Sequence, residues 1–404
     1  MISRPRVFVT GLGAVTALGL GAEALWQAAR DGRTGVQEIA LPRTANQLVK
    51  RAAHLPFFDA ASLLPPEIVR STDRFAQMAI VAAREALADA CWPLAEALGP
   101  RTAVLVGSSI GGATTSDIEH FKFYQTRERT DPMTIPKVMP NAAASQLSMA
   151  FGARGMSLAV SSACSSASQA ISLGLMLLRQ GVAERALVGG SECLITPATF
   201  RAWETLRVMT LGECRPFSSG RDGMTLGEGA AVLMLETEES ARARGVRPRA
   251  ELAGFGTTSD AGDIVRPDAA GAAGAMELAL ADAKLDVADI AYVNAHGTGT
   301  ILNDRSESEA LRRVFGGRLD KLSVSSTKPV HGHTLGAAGA LELLITVRAL
   351  ESGIAPPTLN WLGPDRNCIP DPVPNVARAV DIPAAMSNSF AFGGINASLI
   401  LRRA

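Results

Sequence analysis

One cysteine in the chain stands where a thiol could be put to work. Cys164 lies in the stretch AVSSACSSAS, residues 159–168. An apolar run ends there, and the small residues let the chain turn sharply into a helix predicted over 169–179. A thiol at a helix N-terminus meets the positive end of the helix dipole and free N–H groups. That setting favours thiolate, the nucleophilic form. The same N–H groups can hold the oxyanion of an acyl carbonyl under attack. Cys91, Cys193, Cys214 and Cys368 lack this setting and read as small buried residues.

The histidines supply the second half of a chemistry. Three of the five fall in glycine-rich turns late in the chain: His296 in NAHGTGT over 294–300, and His331 and His333 in STKPVHGHTLG over 326–336. His54 and His120 read as solvent-facing or capping residues. A metal held by His331, His333 and His296 would want further ligands, yet no Asp, Glu or Cys flanks them at ligand spacing, so no metal is expected. Imidazoles that donate hydrogen bonds beside a thiol fit acyl chemistry better.

Something must bring residues so far apart in sequence together, and the chain's own repetition suggests what. RVFVTGLG at 6–13 reappears as RAELAGFG at 249–256, and LADA at 87–90 as LADA at 280–283. The apolar run Ala103–Val106 is matched by Ile290–Val293, and VSS at 160–162 by VSS at 324–326. Gly227-Glu228-Gly229 precedes an apolar run as Gly393-Gly394 does. Five matches in one order predict an internal duplication with halves 1–248 and 249–404, linked through Arg242–Pro248. Within each half, short β-rich runs alternate with helical spacing such as Phe75, Met78, Ala82 and Ala86, which predicts α/β layers around buried sheets. The matched VSS blocks make the Cys164 turn and the Lys328–His333 turn equivalent places. Two halves packed about a pseudo-twofold would then bring Cys164, His333 and His296 to one site. Segment 111–150 has no counterpart of its length and reads as an insertion that builds a pocket or a dimer contact, or as a surface excursion. Gly11-Leu12-Gly13 resembles a dinucleotide-binding motif but lacks the third glycine, as does Gly254-Phe255-Gly256, so tight strand-to-loop turns are expected there instead.

Composition narrows the class. Apolar residues make up 47% of the 404 and charged residues 19%, enough for a large core with apolar surface left for a partner chain. Lys+Arg and Asp+Glu are both 39, without the basic excess a nucleic-acid binder needs. No apolar run is long enough for a membrane span, and the N-terminus carries no signal-peptide pattern. An odd number of cysteines without CxxC spacing fits free thiols in a reducing cytoplasm.

With these residues in view, the chain resembles the β-ketoacyl-acyl-carrier-protein synthases of the one-Cys, two-His branch. The resemblance runs from VFVTGLG at 7–13 to SNSFAFGG at 387–394, and rests on the Cys loop, the NAHGT loop, and Lys328 ahead of His333 and LGAAG at 335–339. It implies the thiolase fold, two α/β halves in a five-layer αβαβα body, as a homodimer or as a heterodimer with a related chain. It implies that Cys164 carries the acyl group. His296 and His333 would bind the thioester carbonyl of malonyl-carrier protein and stabilise the enolate left when CO2 departs. Lys328 would orient the site with Glu342, and the N–H groups of Cys164 and Phe392 would form the oxyanion hole. Thr298 and Thr300 match the threonines that contact the pantetheine arm, while Ile110, Phe200 and Phe390 fall at the acyl pocket. The partner is an acyl carrier protein, which brings its own phosphopantetheine, so no other cofactor is expected. Arg70, Arg74, Arg127 and Arg129 make a thin basic patch for it. Ala391 stands where the family usually has Gly, and His331 where it has a small residue. Such changes resemble specialised members, of nodulation or polyene type. A thiolase would need a second cysteine near the C-terminus, which is absent. A non-catalytic chain-length partner usually loses the nucleophile, which is present here.

Overall fold

The computed structural model describes residues 4–44 and 46–404. The first half supplies β1 (Val7–Thr16), α1 (Arg74–Asp89), β2 (Thr102–Gly107), α2 (Ala142–Phe151), β3 (Ser157–Val160), α3 (Ser166–Arg179), β4 (Arg185–Glu192) and β5 (Gly229–Thr237). The second supplies β6 (Ala250–Ser259), α4 (Ala269–Ala283), β7 (Ile290–Asn294), α5 (Ile301–Phe315), β8 (Ser323–Ser325), α6 (Ala338–Ser352), β9 (Ala384–Ala391) and β10 (Ile395–Arg402). Hydrogen bonding orders the strands β8-β7-β9-β10-β6-β1-β5-β4-β2-β3. Read outward from the β1–β6 junction, each half has the same order and the same pattern: two antiparallel pairings, then two parallel ones. The repeated sequence blocks lie on equivalent strands and helices. The junction itself is slight, with Phe8 opposite Glu251 and Val9 opposite Ala250.

Side-chain alternation along the strands sorts the core into layers. Val104, Val106, Val232 and Met234 pack outward with α1 and α2. Their neighbours Leu105, Leu233 and Leu235 pack inward on α3 and α6, which also take Ala385, Leu399 and Leu401 from the second half. The outer face of the second half carries Val293, Met386 and Ile400 against α4 and α5. Helix, sheet, paired helices, sheet and helix therefore stack in five layers, with α3 and α6 at the centre.

The glycines of the matched RVFVTGLG and RAELAGFG blocks correct one expectation. They are not turn residues; they lie inside β1 and β6. A Cβ on Gly13 would sit 1.9 Å from the Ala82 carbonyl oxygen, and one on Gly256 would sit 2.1 Å from that of Ala275. Bare backbone at these points lets α1 and α4 press directly on their strands. The insertion forms short helices at Ala113–Phe121 and Thr134–Val138 and continues into α2. It leaves Phe121, Phe123, Tyr124 and Ile135 exposed. Cys91 is exposed rather than buried, because it sits in the turn that follows α1.

Gly13→Ala should destabilise the protein by roughly 3 kcal/mol, since a helix backbone cannot yield as a side chain can. Urea denaturation followed by circular dichroism measures it. A midpoint equal to wild type would mean that α1 steps back freely.

Candidate active site

The N-terminal ends of the two central helices meet at the site. Each helix is entered through a one-turn 3-10 segment, Ala163–Ser165 before α3 and Leu335–Ala337 before α6. Both segments open on a residue forced to positive φ, Ala163 at 49° and Leu335 at 44°, a conformation that L-residues hold only when their surroundings impose it. Cys164 thus corresponds to Gly336, not to the turn at Lys328–His333. That turn belongs to residues 327–334, which the second half adds between the VSS block and the helix. The added segment carries Lys328, His331 and His333.

His333 Nε2 lies 3.1 Å from Cys164 Sγ. The rings of His296 and His333 stand edge to face, with centroids 5.4 Å apart. The tautomers follow from what touches the other nitrogens. The Leu335 N–H donates to His333 Nδ1 at 3.3 Å, so the proton of His333 is on Nε2. Lys328 Nζ lies 3.3 Å from His296 Nδ1. An ammonium has only donors, so His296 also keeps its proton on Nε2. The other Lys328 hydrogens go to the His296 carbonyl oxygen at 2.5 Å and to Glu342 Oε1. Burial, then Lys328 and His333, hold His296 well below the usual imidazole value. Burial, Lys328 and His331 do the same to His333. Both rings are neutral donors at neutral pH.

The loop of His296 is pinned by two carboxylates that the sequence analysis passed over. Glu307 accepts from the His296 and Gly297 N–H groups at 2.8 and 2.7 Å, and Asp304 from those of Phe217 and Gly299 at 2.8 and 3.2 Å. Both are on α5, at an i,i+3 spacing directly after the GTGT turn. That pairing was the available signal. Burial pushes the Glu307 carboxyl up to about 7.

Burial opposes the expected thiolate. Burial pushes the Cys164 thiol up to about 12, against the Lys328 ammonium and the backbone N–H groups of Phe392 and Cys164, which favour the thiolate. Desolvation outweighs the helix terminus here.

Of the other singled-out residues, Thr298, Thr300 and Phe390 line the cavity above Cys164, as do Trp203 and Phe392, whose rings stack 6.0 Å apart. Thr298 and Thr300 share a hydroxyl hydrogen bond of 2.8 Å. Phe200 is buried behind the cavity in the apolar cluster that contains Cys164. Ile110 lies outside the cavity and is 41% exposed. Glu342 is fully buried and reaches the site only through Lys328. Ala391 ends β9 in ordinary strand geometry, and the positive φ values of the following turn belong to Gly393 and Gly394. His331 is buried between Thr327 Oγ1 and the Gly332 carbonyl, turned away from the thiol. Arg74 is tied to Glu228 and to the Phe58 carbonyl, whereas Arg70, Arg127 and Arg129 are exposed. The arginines at the cavity mouth are Arg207 and Arg266, which the sequence analysis did not single out.

Cys164, His296 and His333 place ligating atoms within 4.8 Å of one another, a set that zinc would accept. A metal takes the Nε2 lone pair, which requires the ring proton on Nδ1. The Lys328 and Leu335 donors oppose that at both rings.

Comparison with known proteins gives consistent relatives. The family model described as Beta-ketoacyl synthase, N-terminal domain, matches residues 4–241, and that of the C-terminal domain matches residues 249–361. The chain is similar to Nodulation protein E of Rhizobium sp. (strain N33), 41% identical over 98% of this chain and 99% of that one. It is similar to 3-oxoacyl-[acyl-carrier-protein] synthase 2 of Staphylococcus aureus (strain COL), 37% identical over 100% of this chain and 99% of the other. Among solved structures, the ishigamide ketosynthase/chain length factor superposes with a TM-score of 0.95 at 31% identity, covering 100% of both chains.

Alkylation of Cys164 by iodoacetamide should rise about tenfold per pH unit from roughly pH 7 to 9, because only the thiolate reacts. Peptide mass spectrometry separates it from the exposed Cys91. A plateau below pH 8 would show instead that the helix terminus overcomes burial.

Proposed function

We propose, since the chain belongs to the β-ketoacyl synthase family, that it joins acyl and malonyl units by decarboxylative Claisen condensation, both delivered on an acyl carrier protein. The observation that carries this reading is the convergence of two Nε2–H donors beside a buried thiol. Cys164 attacks the incoming thioester; the carbon–sulfur bond to pantetheine breaks, and the thiol proton leaves with the pantetheine sulfur. Malonyl-carrier protein then places its thioester oxygen against His296 and His333. The carbon–carbon bond to the carboxylate breaks, CO2 departs, and the electron pair becomes an enolate held by the two imidazoles. The enolate carbon attacks the acyl carbonyl on Cys164. The oxyanion formed there takes the Phe392 and Cys164 N–H groups, and its collapse releases the sulfur as thiolate, which takes a proton from water.

Thr298 and Thr300 offer hydroxyls to the arm where it enters, and Arg207 and Arg266 flank its phosphate at the mouth. Lys328 is a positioning residue, with Glu342 behind it. Phe390 bounds the acyl group and Phe200 backs it. Residues 1–248 and 249–404 serve as halves of one catalytic body. The exposed aromatics of the insertion and the free edge of β3 suit a second chain of the same kind, identical or related. Among the described residues no helix is long and apolar enough to cross a membrane. A cytoplasmic setting suits the free thiols.

Cys164→Ser should abolish retention of an acyl mass while leaving the fold intact, because a hydroxyl in that turn is a far weaker nucleophile. His296→Ala and His333→Ala should each cost roughly 2–4 kcal/mol in malonyl decarboxylation, as loss of an oxyanion donor does, and less in loading. Intact-protein mass spectrometry and CO2 release read the two steps separately. Loss of loading with CO2 release unchanged would reverse the assignment.

A further inference from the structure

The rim of the cavity is the part of the surface that any protein delivering a tethered substrate must touch, and here it carries four exposed aliphatic side chains. Ile264 is 75% exposed and Val265 43%, on a loop on one side of the mouth. Ile301 is 60% exposed and Leu302 50%, on the first turn of α5. A single exposed aliphatic residue needs no explanation, but four around one opening form a patch of the kind that marks a docking surface. The loop that carries two of them is ordered. Asp263 Oδ1 accepts from the Val265 and Arg266 N–H groups at 2.8 and 2.9 Å, and the Gly393 N–H donates to the Ile264 carbonyl at 2.8 Å. The patch is thus held in place against the turn that bounds the thiol.

Charge at the rim is balanced. Arg207 and Arg266 are offset by Asp222 and Asp263, all four lining the mouth, and the whole chain has as many acidic as basic residues. A rim of this kind gives little long-range attraction to a strongly acidic partner. Resting on the reading of the site as a carrier-fed ketosynthase, we infer that Ile264, Val265, Ile301 and Leu302 dock the carrier protein by apolar contact. Its carrier therefore bears exposed aliphatic side chains beside the serine that holds the arm. The occupant follows from the geometry: an arm that reaches Cys164 through this mouth brings its carrier down upon these four residues.

The test compares loading of Cys164 from a hexanoyl-carrier protein and from hexanoyl-pantetheine, which has no protein attached, by intact mass. For the carrier-borne substrate, raising salt from about 0.05 to 0.5 M should change KM by less than about twofold, since screening weakens charge but not apolar contact. The double variant Ile264→Ser, Leu302→Ser should raise the ratio of KM for the carrier-borne over the free substrate by roughly tenfold, as loss of central interface side chains does. A KM that climbs tenfold with salt and a ratio that the double variant leaves unmoved would overturn the inference in favour of charge-driven docking. A dimer lost in that variant, with the ratio unchanged, would assign the rim to a second copy of the chain and overturn it too. Failure of both substrates to load wild-type Cys164 would sink the reading of the site itself rather than the docking alone.

Discussion

A buried lysine decides what the active site can do. Lys328 is 1% exposed, and its partner Glu342 is entirely enclosed. Its ammonium hydrogens have three acceptors within reach: the carboxylate, the His296 carbonyl oxygen and His296 Nδ1. Taking an ammonium and a carboxylate out of water costs several kcal/mol, and removing one partner of such a pair typically costs about 3–5 kcal/mol because the other is left buried and unpaired. What the pair does follows from where it points. An ammonium beside Nδ1 fixes the ring proton on Nε2 and opposes a second proton, so His296 stays a neutral donor aimed into the cavity. His333 reaches the same state through a backbone N–H. The two rings stand edge to face beside the thiol, and the donors at both Nδ1 atoms disfavour a metal on Nε2.

Everything larger in the fold serves to bring that arrangement to the thiol. Duplication places two helix N-termini head to head at the centre of the layers, each entered through a strained one-turn segment. One half spends its turn on the nucleophile. The other adds residues 327–334 before the equivalent turn and uses them for Lys328 and His333. The NAHGT loop enters from β7, held by Glu307 and Asp304 of α5. The burial that lowers both imidazoles also raises the thiol.

Much of this was legible in the chain. The five repeated blocks fall on equivalent strands and helices because duplicated strands keep their turn residues and their alternation. The thiol and the two histidines were recognisable from loop chemistry. What was not legible depended on distance and solvent. Gly13 and Gly256 sit inside strands, and a Gly-X-Gly spacing looks the same in a turn and in a strand under a close helix. The thiol's state turned on burial, which a helix N-terminus alone does not reveal. Ile110 is exposed and is not among the residues that line the cavity above Cys164, while Arg207, Arg266 and the aliphatic rim come from segments without a motif. Arg74 carried the charge expected of a docking residue, but is held inward by Glu228.

The central claim concerns two protons, and they can be observed. Nitrogen-15 NMR of protein labelled at its five histidines, with His296 and His333 assigned by single replacement, reports which ring nitrogen is protonated. The account predicts that both are neutral from about pH 6 to 8, below which an ordinary imidazole would already be charged, with the hydrogen on Nε2. It also predicts that Lys328→Met releases His296 alone into a mixture of tautomers. A hydrogen on Nδ1 of either ring, or an imidazolium titrating near 6.5, would contradict it.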